Sequence, residues 1–168
     1  MSRGAAPGEL PLDRLPDDEV RTLLRGCLDV GRWVEEVAAG RPYGDRDSLL
    51  AAADLAARSL SPAEVEQALA GHPRIGERPG SGHNVEASAR EQAGVDPSAP
   101  DVAARLAAGN AAYEERFGHV FLVRAAGRSA EEILAELDRR LRNDPQTERG
   151  EVADNLRQIA LLRLQEAV

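Results

Sequence analysis

Apolar residues in this chain recur every three to four positions and almost nowhere alternate, a period that commits most of it to amphipathic helices. Val20, Leu23, Leu24, Cys27 and Leu28 keep the helical spacing, and Val30, Trp33, Val34 and Val37 resume it after a phase shift near Gly31. The shift predicts one helix that is broken or kinked there. Alanine and leucine supply 29 and 20 of the 168 residues, while aromatics make up only 3%. That balance suits helices far better than sheets.

Local punctuation divides the rest. Arg41-Pro42-Tyr43-Gly44 reads as a turn, followed by a short alanine-rich helix over 46–58. Ser61-Pro62-Ala63-Glu64 is a capping box with proline at the first helical position, opening a helix that stops near Gly71. From Gly71 to Gly82 four glycines and two prolines predict a loop. A short helix over 86–93 and the Pro97–Pro100 loop lead to a helix over 101–116, with Val102, Leu106, Tyr113 and Phe117 near one face. Val120 to Val123 is a concentrated β-prone run, too short to imply a sheet. Ser129-Ala130-Glu131-Glu132 reads as a second capping box, opening a helix with Ile133, Leu134, Leu137 and Leu141 that ends at Asn143-Asp144-Pro145. A last helix spans 147–167. The expectation is an all-α fold: a single compact domain over 1–168 with about eight helical segments, residues 1–9 forming a flexible tail.

The charges exclude several functions. Acids outnumber bases 29 to 21 for a net charge of −8, and every base is arginine. Without lysine the chain has no Schiff-base catalysis, no lysine-anchored pyridoxal phosphate and no Walker lysine. The acidic balance argues against nucleic-acid or anionic-membrane partners. A lone cysteine, Cys27, lies on an apolar stripe and reads as a packed core thiol. The segment before Gly8 is not a secretory signal, and no stretch approaches the roughly 18 apolar residues of a membrane span. Gln165-Glu166-Ala167-Val168 is not a peroxisomal address. A cytoplasmic protein is expected. The histidines at 72, 83 and 119 match no common metal-ligand spacing, so no metal site is expected.

Three features look out of place on a purely structural reading. His72 follows a helix end in Gly71-His72-Pro73-Arg74-Ile75-Gly76, where Pro73 biases it to an extended backbone. It is either an exposed turn histidine or a proton carrier suited to neutral pH. Ser88, Glu91 and Gln92 share a helix face at i, i+3 and i+4, a polar set that is either hydrated surface or a grip on a ligand rich in N–H and C=O groups. Arg163 falls in the middle of the apolar stripe of the last helix: at about 100° per residue from Val152, Leu156 lies at about 40°, Ile159 at about −20° and Arg163 at about 20°. A buried arginine needs an anion, either a structural carboxylate such as Glu91 or Asp138, or a substrate carboxylate.

Together these motifs resemble the OHCU decarboxylase family, the 2-oxo-4-hydroxy-4-carboxy-5-ureidoimidazoline decarboxylases of urate breakdown. The resemblance runs in order from about Leu10 to Leu164. It takes in Trp33 with Arg41-Pro42-Tyr43, His72 to Gly76, Ser88 to Gly94, Asn110, Tyr113, Arg116 to Phe121, Arg140-Leu141 and Leu162-Arg163-Leu164. It implies an all-helical, cofactor-free homodimer that converts the ureidoimidazoline acid to (S)-allantoin and carbon dioxide. By resemblance His72 is the catalytic proton donor with Pro73 shaping the pocket, and Ser88, Glu91 and Gln92 meet the substrate, with Glu91 also catalytic. Backbone contacts come from Phe121, Leu122, Val123, Arg124 and Ala125, and Arg163 matches an arginine of the last helix. The carboxylate-binding role of Arg163 is inferred from its place on the stripe. Animal members carry Phe-Gly-Phe-Pro-Phe where this chain has Phe117-Gly118-His119-Val120-Phe121, which looks like the bacterial branch. His119 is expected to pack or to support the site from behind. The alternatives are a non-catalytic helical module that binds a small ureide or a partner protein, and a related enzyme acting on another ureide.

Overall fold

The computed structural model describes residues 10–75, 90–93 and 100–168. After a 3-10 turn at Pro11–Arg14 it holds seven α-helices among the described residues: α1 (Asp17–Cys27), α2 (Gly31–Ala39), α3 (Arg46–Ala57), α4 (Pro62–Leu69), α5 (Pro100–Phe117), α6 (Ala130–Arg140) and α7 (Pro145–Ala167). No strand occurs among them, as the helical period predicts. Arg90 and Glu91 are helical and Gln92-Ala93 turn away; the rest of the helix expected over 86–93, Ser88 included, lies outside the described residues, as do the expected tail over 1–9 and His83.

The break near Gly31 is complete. Leu28 and Val30 are both extended, so α1 and α2 are separate helices. The capping box at Ser61 forms in full, Glu64 N–H donating to Ser61 Oγ at 3.2 Å and Ser61 N–H to Glu64 Oε2 at 2.8 Å. At Ser129 only one arm forms: Glu132 N–H reaches Ser129 Oγ, while the Glu132 carboxylate takes the Ser129 hydroxyl instead of the backbone N–H. The last helix starts two residues earlier than expected, because Asp144 caps Thr147 N–H at 2.9 Å and Pro145 occupies the first helical position.

Two apolar clusters share the interior. The larger lies among α1, α2, α3, α4 and α7 around Trp33, whose indole N–H donates to Ala53 O at 3.0 Å. The smaller lies between α5 and α6, where Leu106, Tyr113, Ile133 and Leu137 meet. Gly109 permits that approach, since a Cβ there would overlap Leu137 Cδ2. Gly118, in the left-handed region at φ +78°, turns the chain out of α5. The run 121–125 then separates the clusters by strand-like alternation. Phe121, Val123 and Ala125 pack into the smaller one and Leu122 into the larger.

Candidate active site

The site grows from the end of α4. Its last turn closes with Gly71 N–H on Ala68 O at 3.2 Å and His72 N–H on Leu69 O at 3.0 Å, which hangs His72 on the helix terminus. Pro73 then stiffens the exit. Arg74 Nε donates to Glu114 Oε1 of α5 at 2.5 Å, and Ile75 is buried in the smaller cluster with Phe121, Val123 and Ala125. His72 thus sits on a bridge from one cluster to the other. Burial first, and then the positive charge of Arg163, push its imidazole down from the ordinary 6.5 to about 4. At neutral pH it is an uncharged base rather than a standing acid.

Arg163 lies where the stripe on α7 predicts, 7% exposed among Val152, Leu156, Ile159 and Leu164. Of the two carboxylates considered from sequence, Glu91 is its partner, whereas Asp138 is exposed. The contact is bidentate: Nε to Oε1 at 2.6 Å and Nη2 to Oε2 at 3.1 Å, with the Glu91 side chain 12% exposed. The third nitrogen, Nη1, donates to Gly26 O at 3.3 Å, a carbonyl in the last turn of α1. Cys27 beside it is buried, and burial lifts its thiol to about 12 against the opposing charge of Arg163. It is a core thiol, as the stripe implied. Gln92 follows Glu91 in a turn closed by Ala93 N–H on Arg90 O at 3.2 Å. Arg90 and Glu166 pair at 3.5 Å and fasten this piece to α7 a second time.

The segment Phe121–Ala125 is held by its backbone. Asn155 Oδ1 accepts the Arg124 N–H at 2.9 Å, so that amide is engaged within the protein. Arg140 Nη1 donates to Leu122 O at 2.5 Å while its guanidinium lies 4.7 Å over the Phe121 ring. Arg140 is itself paired with Glu148 at 2.5 Å, both side chains being 0% exposed. Tyr113 donates to the same Glu148 oxygen at 2.5 Å, and Asn143 Nδ2 to the other at 3.0 Å. Burial and the Glu148 carboxylate push the Tyr113 phenol well above its usual range, keeping it a neutral donor. His119 packs edge-on to Tyr113 at 5.5 Å and stacks on Phe117.

The structure therefore brings together His72, Glu91 and Arg163, and sets the 121–125 segment beside the His72–Ile75 bridge through Ile75. Sequence reasoning missed the support: Glu148, Asn155 and Arg163 project from the buried side of α7, each holding a different part of the site. The signal was present, since the same helical wheel puts Glu148 at about −40° and Asn155 at about −60° from Val152. Among the described residues no three His, Cys, Asp or Glu side chains gather as a metal centre needs, and no described helix is long and apolar enough to cross a membrane.

The described residues thus form a small all-helical domain with a half-buried histidine whose pKa is pushed down near an arginine–carboxylate pair. The sequence model of the OHCU decarboxylase family matches residues 13–165, and the chain belongs to that family. It is 31% identical over 161 residues to the 2-oxo-4-hydroxy-4-carboxy-5-ureidoimidazoline decarboxylase of Haloferax volcanii, covering 92% of each chain. It is 34% identical over 135 residues to the enzyme of that name from Amia calva, covering 79% of this chain and 77% of the relative. In fold it resembles a crystal structure of OHCU decarboxylase in the presence of (S)-allantoin, with a TM-score of 0.70, 22% identity, and coverage of 91% of this chain and 98% of that one.

Proposed function

We propose that this chain decarboxylates 2-oxo-4-hydroxy-4-carboxy-5-ureidoimidazoline to (S)-allantoin and carbon dioxide in urate breakdown, without a cofactor and with His72 as the proton carrier. The observation that carries the reading is the half-buried imidazole of His72, its pKa pushed down by burial and by Arg163, which is itself paired with Glu91, in a chain of this family. Loss of carbon dioxide leaves an electron pair at the hydroxyl-bearing ring carbon. The adjacent ring imine accepts it, and protonation of that nitrogen by water, the source of the one proton the reaction takes up, gives an enol. Neutral His72 then takes the enol proton and returns one to a single face of the ureido-bearing carbon, which sets the S configuration. A base that is neutral at pH 7 suits this relay, because it becomes an acid only after collecting the proton it delivers.

Glu91, aimed by Arg163, holds the hydroxyl and ureido groups together with Gln92 and Ser88. Pro73 and the 121–125 segment wall the pocket. The substrate carboxylate approaches Arg163 while Glu91 keeps its hold on the guanidinium, so binding draws on an arginine already oriented by Glu91. The protein acts as a homodimer in the cytoplasm; sedimentation velocity tests the assembly, and a monomer at micromolar concentration contradicts it. The activity is tested by generating the unstable substrate in situ from urate and following allantoin by circular dichroism. Accelerated formation of the S enantiomer supports the proposal. Only the slow racemic background contradicts it and favours a ureide-binding module.

A further inference from the structure

We infer that Asn110 is a positioning residue for His72. The inference rests on the catalytic role proposed for His72 and concerns what holds that histidine in place. His72 is tied on its N-terminal side to Leu69 of α4, which packs in the larger cluster. On its C-terminal side the first buried anchor is Ile75, in the smaller cluster. Asn110 of α5 supplies the link there, its Nδ2 donating to Ile75 O at 3.0 Å.

Three observations make this tether matter more than ordinary packing. The Asn110 side chain is 6% exposed, yet its Oδ1 is buried with no hydrogen-bond partner. An apolar residue of similar size would avoid that orphaned acceptor, so the donor end is the part of this amide that is used. A cavity of about 280 Å3 opens beside the tether, lined by Arg74, Ile75, Leu106, Asn110 and Glu114, so the segment has room to shift. The Arg74–Glu114 pair in the same stretch is substantially exposed, where an ion pair adds little. Pro73 fixes one backbone torsion between the anchor and the histidine, which leaves fewer torsions over which a shift at Ile75 can be taken up before it reaches His72.

The test compares wild type with Asn110→Leu, which keeps the branched shape in a somewhat larger side chain and deletes both the donor and the orphaned oxygen, and with Asn110→Ala. Circular dichroism checks the fold, the (S)-allantoin assay gives kcat and KM, and the His72 ring is titrated by NMR without substrate. The expected result is a native spectrum, kcat lower by about 10- to 100-fold and KM changed by less than about 3-fold. The His72 ring should also titrate at higher pH than in wild type. Among the described residues, the charged groups tied to the His72 segment, Arg163 with Glu91 and Arg74 with Glu114, are unaltered in both variants, so that shift reports placement. Wild-type kcat with a wild-type titration overturns the assignment, and so does loss of the fold in both variants, which makes Asn110 a stability residue. Failure of the wild-type protein to accelerate the reaction refutes the proposed activity instead, and the NMR titration still reads the position of His72.

Discussion

Replacing Arg163 with methionine removes a charge the fold has built around, and the cost can be worked from the contacts. Glu91 loses both guanidinium bonds, at 2.6 and 3.1 Å, and Gly26 O loses its side-chain donor. Exposed ion pairs contribute only about 0–1 kcal/mol, but breaking a buried pair costs about 3–5 kcal/mol because one charge is left without compensation. With side chains 7% and 12% exposed, this pair belongs to the second case. For a chain of this size about 1 kcal/mol moves Tm by roughly 2–4 °C, so Arg163→Met should melt roughly 6–20 °C below wild type at pH 7. Arg163→Met combined with Glu91→Leu should recover most of the lost Tm while remaining inactive, because no orphaned charge is left. Thermal unfolding followed by far-ultraviolet circular dichroism, with all three variants in a double-mutant cycle, reads both effects. A single variant within about 1 kcal/mol of wild type, or a double variant as unstable as the sum of the singles, refutes the reasoning.

The imidazole of His72 predicts the acid limb of activity. With a folded value pushed down to about 4, kcat/KM should fall only as the pH approaches 4; a limb centred near 6.5 contradicts the buried, neutral base. The same shift has a stability consequence. Between pH 4 and 6.5 the unfolded chain binds the His72 proton and the folded chain does not, so stability falls by about 3 kcal/mol as pH drops through that window. His72→Asn should lack this component in urea titrations taken at several pH values. In the second buried network, Arg140→Met leaves the fully buried Glu148 without its cation and should cost about 3–5 kcal/mol. Tyr113→Phe, which removes one hydrogen bond to a charged group, should cost about 1.5–3 kcal/mol. Near-wild-type urea midpoints for either variant contradict the role given to that network.

The helices were readable because their signals are local. Capping residues at Ser61 and Ser129, prolines at 62 and 145 and the apolar period all act within a few positions. Asp144 was read as a helix end when it is the cap of the next helix, because Asn143-Asp144-Pro145 carries a stop and a start in the same three residues. The anomaly of Arg163 was also legible, since a charge on an apolar stripe is visible on a helical wheel. Its choice of Glu91 over Asp138 was not, because partners far apart in sequence are selected by tertiary packing. Glu148 and Asn155 sit near the same stripe, yet one or two polar residues at its margin look like ordinary solvated positions until the neighbouring elements close over them. The same limit hid Asn110: its contact with Ile75 joins residues 35 positions apart and leaves no periodic trace.

The central claim is that His72 relays a proton to one face of the decarboxylated intermediate. It is tested most directly by measuring rate and enantiomeric composition together for wild type and His72→Asn, with the substrate generated from urate and allantoin followed by circular dichroism. Wild type should give rapid, S-only product. The variant, with a native far-ultraviolet spectrum, should give racemic product at the uncatalysed rate. Near-wild-type, S-selective turnover by His72→Asn would contradict the account.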